Sequence, residues 1–207
     1  MREKREIDVS EGTTKDKIVK TMYRLVAEKG YDKASIGQIS DIIGIKKASV
    51  YYYFKSKEDI FLQMVKDLYE AEDIDKPMPL EAEISAEAYQ NELIAAGEKF
   101  IDSYFTQKTL RKVYAEIDIQ TSRIPALKEY VKASDEKLNQ MLLQRMIYGV
   151  KTGVFPKDFD AALNAQVLYT ILTGIDQAIL YELPIAPKAV WKEVILKLFE
   201  GKASIST

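Results

Sequence analysis

Two short apolar segments meet at Gly44, and this junction restricts the chain more than any other feature of its sequence. The first opens with Ser35-Ile36-Gly37-Gln38, the pattern of a capping box in which a hydroxyl, and an amide three residues on, satisfy free backbone donors. Ile36, Ile39, Ile42 and Ile43 then recur at helical spacing and form its buried stripe. After Gly44-Ile45-Lys46 a second short helix is expected over residues 47–54. A longer helix over residues 15–29 precedes the pair, with Ile18, Val19, Met22, Leu25 and Val26 inside and Gly30 after its last turn. Another follows, capped by Ser56-Lys57-Glu58-Asp59, with Ile60, Phe61, Met64, Val65 and Leu68 inside. Two short helices joined at a glycine turn make a helix-turn-helix.

The wheel of the 47–54 helix indicates its use. Val50, Tyr51 and Phe54 share one arc and are expected to anchor it, while Ala48, Ser49, Tyr52 and Tyr53 lie opposite. A purely structural reading would place the whole run from Tyr51 to Phe54 in the core. Successive helical residues diverge by about 100°, however, so four consecutive aromatics cannot all point inward and at least Tyr52 faces out. The outward face combines small residues, hydroxyls and rings, flanked by Lys46, Lys47, Lys55 and Lys57. That combination suits a groove lined with phosphates, where hydroxyls meet phosphate oxygens or base edges and rings meet sugars and thymine methyls. Charge points the same way. Residues 1–60 carry 13 Lys/Arg against 10 Asp/Glu, whereas residues 61–207 carry 17 against 22, within a net charge of −2.

The residues from Thr14 to Val65 resemble the DNA-binding region of the TetR family of repressors. The likeness runs through Ala27-Glu28-Lys29-Gly30-Tyr31, Ser35-Ile36-Gly37-Gln38-Ile39, Gly44-Ile45-Lys46-Lys47-Ala48-Ser49-Val50-Tyr51-Tyr52-Tyr53-Phe54 and Lys55-Ser56-Lys57-Glu58. The resemblance implies DNA contacts from Lys46, Lys47, Ala48, Ser49, Tyr52 and Tyr53, a phosphate at Ser35, and a backbone clamp at Lys57. Lys46 and Tyr52 stand where a small hydroxyl residue and a histidine are common in the family, so the operator sequence is not carried over from relatives.

The rest of the chain also reads as helical. Residues 73–79 are acidic and then broken by proline, an irregular connection. Beyond them run three stripes: Tyr89, Leu93, Gly97, Phe100, Ile101, Tyr104 and Phe105; Leu110, Val113, Tyr114 and Ile117; and Leu127, Tyr130, Val131, Leu138, Met141 and Leu142. A strongly apolar helix over residues 160–181 and a final one around Trp191 complete the pattern. The expected fold is all-α. Residues 1–13 form a flexible arm, 14–58 a three-helix helix-turn-helix domain, and 59–207 a larger helical domain for effector binding and dimerisation.

The apolar surplus of the last two helices fits either a full core or a subunit interface. The family resemblance implies a four-helix bundle across a two-fold axis. The interface is therefore expected at Leu168, Leu172, Gly174, Ile175 and Ala178 on one helix and Trp191, Val194, Ile195 and Leu198 on the other. A homodimer would read a near-palindromic double-stranded operator through recognition helices spaced by about 34–36 Å. An apolar or aromatic small-molecule effector is expected among Phe100, Tyr104, Tyr114, Asp118, Met141, Arg145, Tyr148, Tyr169, Asp176 and Gln177. Arg145 lies in an apolar row, where pairing or snorkelling competes with an anion-binding role.

Other function classes meet chemical obstacles. The chain has no cysteine and no histidine, which removes thiolate and imidazole nucleophilic machinery and the usual zinc sites. Glu116 and Asp118, a carboxylate pair for an enzyme, sit about 200° apart on a helix and do not converge. No phosphate-binding glycine loop is present, and no cofactor, metal or catalytic residue is expected. The polar stretch MREKREIDVSEGTT is no signal-peptide core, and residues 161–175 fall short of a membrane span, so a cytoplasmic protein without a membrane partner is expected. The leading expectation is a transcriptional repressor released by its effector. An activator, a regulator that needs its ligand to bind DNA, and a dimeric scaffold that does not bind DNA stand as alternatives.

Overall fold

The computed structural model describes residues 11–71, 84–105 and 108–200, with residues 71, 103–105 and 108 described by backbone alone. All regular structure among the described residues is helical: α1 (Thr14–Lys29), α2 (Ile36–Ile43), α3 (Lys47–Tyr53), α4 (Lys57–Ala71), α5 (Ala86–Phe105), α6 (Lys108–Thr121), α7 (Pro125–Lys151), α8 (Ala161–Leu180) and α9 (Pro187–Glu200). The chain divides into two compact units, Met1–Asp73 with Lys108–Val131, and Ile74–Gln107 with Lys132–Thr207. The first therefore takes in α4, α6 and the opening turns of α7 as well as residues 14–58. The connection expected over residues 73–79 and the first ten residues of the arm lie outside the described residues.

In the first unit, local chemistry fixes the helix ends. The Asp16 N–H donates to Thr13 Oγ1 at 3.2 Å and the Thr13 N–H donates to Asp16 Oδ2 at 2.9 Å, closing a reciprocal box at the start of α1. These bonds hold the Asp16 carboxyl below the usual carboxylate range. The expected box on α2 is present: Gln38 N–H donates to Ser35 Oγ, and Ser35 N–H donates to Gln38 Oε1. At its other end Gly44 takes φ 73°, a left-handed conformation that only glycine adopts without strain. The eight residues of α2 and seven of α3 are too few for a stable isolated helix. Tertiary packing holds them instead. Ile39 and Val50 are fully buried, as are Ile18, Met22, Ile60, Phe61, Val65 and Val113.

In the second unit, α5 packs against α8 and α9. Tyr89, Leu93, Ile101, Leu142, Met146, Phe155, Leu168, Leu172, Trp191 and Ile195 form its core. Gly97 is what lets α9 approach α5, since a Cβ there would lie 2.0 Å from Trp191 Nε1. The indole N–H donates to the Leu93 carbonyl at 3.1 Å, so the one polar atom of this ring is satisfied inside the core. Lys188 of α9 pairs with Asp102 of α5 at 2.8 Å, at the surface.

This core changes the reading of the last two helices. Leu168, Leu172, Ile175 and Ala178 of α8 and Trp191 and Ile195 of α9, expected at a subunit interface, are buried within their own chain. Val194 and Leu198 are half-buried against the same core. Of the expected set, Gly174 alone is exposed. The reason is that apolar side chains occur nearly all round α8, and its bulkiest positions are taken by the core. The face left open is another one, with Leu163 56% exposed and Val167 45% exposed, continuing through Thr170 to Gly174 at steps of three or four residues.

Candidate nucleic-acid interface

Only two side chains root α3. Val50 is fully buried and Phe54, one turn on, nearly so, while the Lys15 ammonium lies 5.8 Å from the Phe54 ring centroid. Tyr51, expected to help anchor the helix, is instead 49% exposed. A helix of two turns presents one narrow stripe to the core, and the i, i+4 pair of Val50 and Phe54 fills it. Every other position is open: Lys47, Ala48, Ser49 and Tyr53 are exposed, and Tyr52, at 84% exposed, is the barest of the large hydrophobic residues. The rings of Tyr52 and Tyr53 meet edge to face at 5.1 Å.

The electrostatics of this helix are adverse without a partner. Lys46 takes the N-cap position with no side-chain capping bond, Lys47 follows it, and the first turn holds no acidic residue. Cations at a helix N-terminus oppose the macrodipole, an arrangement that a polyanion beside them relieves. Exposed aromatic rings gain from the same contact, because they leave water for sugar and base surfaces.

Ser35 and Lys57 have other engagements. Ser35 is exposed and its Oγ accepts the Gln38 N–H at 3.3 Å, leaving its own O–H to donate. The Lys57 ammonium is turned inward: it donates to the Tyr31 carbonyl at 3.1 Å and stands 4.0 Å from the Tyr31 ring centroid.

The residues expected around an effector do not form one group. Tyr114 and Asp118 belong to the first unit, where Tyr114 is buried and Asp118 is exposed. The Tyr104 side chain lies outside the described residues. In the second unit Phe100, Met141, Tyr148 and Tyr169 pack partly buried against the core, and Asp176 and Gln177 are half-buried on α8. Two polar associations stand out here, and sequence reasoning missed a member of each. The first joins Arg145 to Glu92: burial draws the guanidinium down, while Tyr89 and Glu92 oppose that shift. The Tyr89 hydroxyl donates to the Arg145 carbonyl, and its ring lies 5.8 Å from that of Tyr148. The second joins Asp135 to Tyr169. Burial raises the Asp135 carboxyl and a hydrogen bond with Tyr169 moderates the rise. No local spacing reveals either pair, because their members stand far apart in the chain. Among the described residues no helix is long and apolar enough to cross a membrane, and no group of His, Cys, Asp and Glu is placed to hold a metal.

Residues 18–64 match the family described as "Bacterial regulatory proteins, tetR family". The biofilm operon icaADBC HTH-type negative transcriptional regulator IcaR of Staphylococcus aureus is 48% identical over 52 residues, which cover 25% of this chain and 28% of IcaR. The likeness to this curated relative is thus confined to little more than a quarter of its length. Among solved structures, a TetR transcription regulator from Haloarcula marismortui matches with a TM-score of 0.73 at 20% identity, over 90% of this chain and 96% of that one. A transcriptional regulator from Saccharomonospora viridis in complex with choline matches with a TM-score of 0.68 at 19% identity, over 90% and 95%. These two likenesses extend the shared fold over nearly the whole chain.

Proposed function

We propose that the chain is a TetR-family transcriptional regulator, an operator-binding repressor which a small molecule acting on its second unit releases from DNA. The observation that carries this reading is the outer face of α3, where Tyr52 stands almost fully exposed beside Tyr53, Ser49, Ala48 and the lysines at 46 and 47. The negative sign rests on IcaR, a negative transcriptional regulator 48% identical over 52 residues. The choline complex of the Saccharomonospora regulator supports a ligand-receiving role for the same fold here. Such a ligand has to favour a DNA-incompetent state, commonly by about 1–3 kcal/mol of coupling. In this reading two copies meet through the open face of α8, from Leu163 and Val167 to Gly174, and thereby space two recognition helices along a near-palindrome.

The test begins with selection of bound duplexes from a random pool, followed by fluorescence anisotropy on the winner at two salt concentrations. The wild type is expected to bind tightly and to weaken with salt, as phosphate contacts require. A Lys47→Ala/Tyr52→Ala variant is expected to lose roughly 100-fold or more in affinity with unchanged thermal unfolding, because neither side chain serves the core. Enrichment of no duplex by the wild type would remove the proposal.

A further inference from the structure

Tyr31, at the corner between α1 and α2, is held through its two flanking peptide groups. Its N–H donates to Glu116 Oε2 on α6 at 3.0 Å, and its C=O accepts from Lys57 Nζ at the start of α4 at 3.1 Å. The Tyr31 ring lies beneath the same ammonium and packs on Phe61 at 4.6 Å between centroids. Gly30 leaves room for the carboxylate: a Cβ there would lie 2.9 Å from Glu116 Oε1, and its φ of 84° is itself a glycine conformation. Further along α6, Arg123 pairs with Asp32 at 3.3 Å, an open contact that adds little. Glu116 and Lys57 thus tie α6 and α4 to the backbone of one residue through two charge-assisted bonds, the stronger class of hydrogen bond.

We propose that Glu116 and Lys57 form a single clamp on the Tyr31 backbone, that Glu116 is the positioning residue through which α6 sets the pose of α2 and α3 on DNA, and that Lys57 serves this clamp instead of a phosphate. The proposal rests on the DNA-binding reading above and deepens it. The Tyr31 C=O also accepts from the Ala34 N–H at 3.0 Å, so Lys57 reinforces a turn already closed, whereas the Tyr31 N–H lies outside the helical hydrogen-bond ladders and depends on the Glu116 carboxylate. Displacement of α6 withdraws the carboxylate from the Tyr31 N–H. Because α3 follows α2 after the short Gly44 turn, a tilt at Tyr31 is delivered to Tyr52.

Salt dependence separates the two roles of Lys57, using the selected duplex and the full chain. Lys57→Met and Glu116→Ala are each expected to weaken binding roughly tenfold, as for loss of one hydrogen bond to a charged group, with the slope of log affinity against log salt unchanged. The double variant is expected to be no worse than either single one, because both act on one clamp. Glu116→Gln, which keeps an acceptor, is expected to restore affinity to within about threefold. A fall of about one in the salt slope for Lys57→Met would make it a phosphate contact and overturn the assignment. Additive losses, or a neutral Glu116→Ala, would overturn the shared clamp.

Hydrogen exchange reads the clamp without DNA. The Tyr31 amide is expected to lose at least tenfold of its protection in Glu116→Ala, while the amides within α1 and α2 keep theirs. Free exchange of this amide in the wild type would remove the clamp altogether. Protection as expected in a chain that binds no duplex would remove the regulator reading, and with it the positioning role of Glu116.

Discussion

The helices α3 and α8 are both rich in apolar and aromatic residues, yet they place them in opposite directions. Along α3 the core takes Val50 and leaves Tyr51, Tyr52 and Tyr53 outside. Along α8 the core takes Ala165, Leu168, Leu172, Ile175, Ala178 and Ile179, and leaves Leu163 and Val167. The contrast shows that apolar content says how much surface a helix has to cover, whereas length and neighbours decide what covers it. Two turns with one anchoring stripe cannot hide four rings, whereas five turns lying against α5 and α9 bury a full face and leave one strip open. The rings of α3 are therefore mostly left to water, while Leu168 and Leu172 of α8 are enclosed by their own chain.

The comparison predicts a graded series of effects. The largest belongs to Leu172→Ala: removing a buried leucine from α8 is expected to cost about 2–5 kcal/mol of unfolding free energy, read from chemical denaturation. A cost below about 1 kcal/mol would break the contrast, since α8 would then not be committed to its own core. Val167→Glu comes next. Unfolding of the isolated chain is expected to change by no more than about 0.5 kcal/mol, as for a surface position, whereas sedimentation is expected to shift from dimer toward monomer. An unchanged dimer would place the interface elsewhere. The smallest effect belongs to Tyr51→Ala on α3, within about 0.5 kcal/mol in stability, because half of that side chain is already in water. A loss above about 2 kcal/mol would restore Tyr51 to the anchoring role that the wheel assigns it.

The same contrast explains what the sequence made legible. The end of α1, both ends of α2 and the start of α4 were readable because Gly30, Ser35, Gly44 and Ser56 act within three or four residues of themselves, whereas the Thr13 box at the start of α1 went unread. The exposure of Tyr52 followed from geometry alone, since consecutive rings diverge around a helix. Tyr51 was misplaced because a wheel assumes a stripe about 100° wide, and α3 is too short to bury more than a narrow one. The direction of α8 was illegible because a helix apolar on most sides has no wheel minimum to mark its open face. Glu116 illustrates the remaining limit. The sequence sets it beside Asp118 as a carboxylate pair that does not converge, and its actual partner, the Tyr31 N–H, stands 85 residues away. Such a contact leaves no periodicity behind. The match of residues 18–64 to the TetR family and the solved structures that share the fold over nearly the whole chain support the regulator reading, but the pairing of α6 with the Tyr31 corner comes from coordinates alone.

Trp191, pressed against Gly97 with its N–H on the Leu93 carbonyl, is the chain's single tryptophan. The protein thus carries one built-in fluorophore, set in the second unit and shielded from water. Its emission is expected to be blue-shifted while α5 and α9 stay closed and to move to the red when they part. The first unit has tyrosines and no tryptophan, so selective excitation at long wavelength follows the second unit alone while circular dichroism follows every helix. Superimposable melts from the two signals identify one cooperative transition, and separated melts resolve two, without a label on either unit.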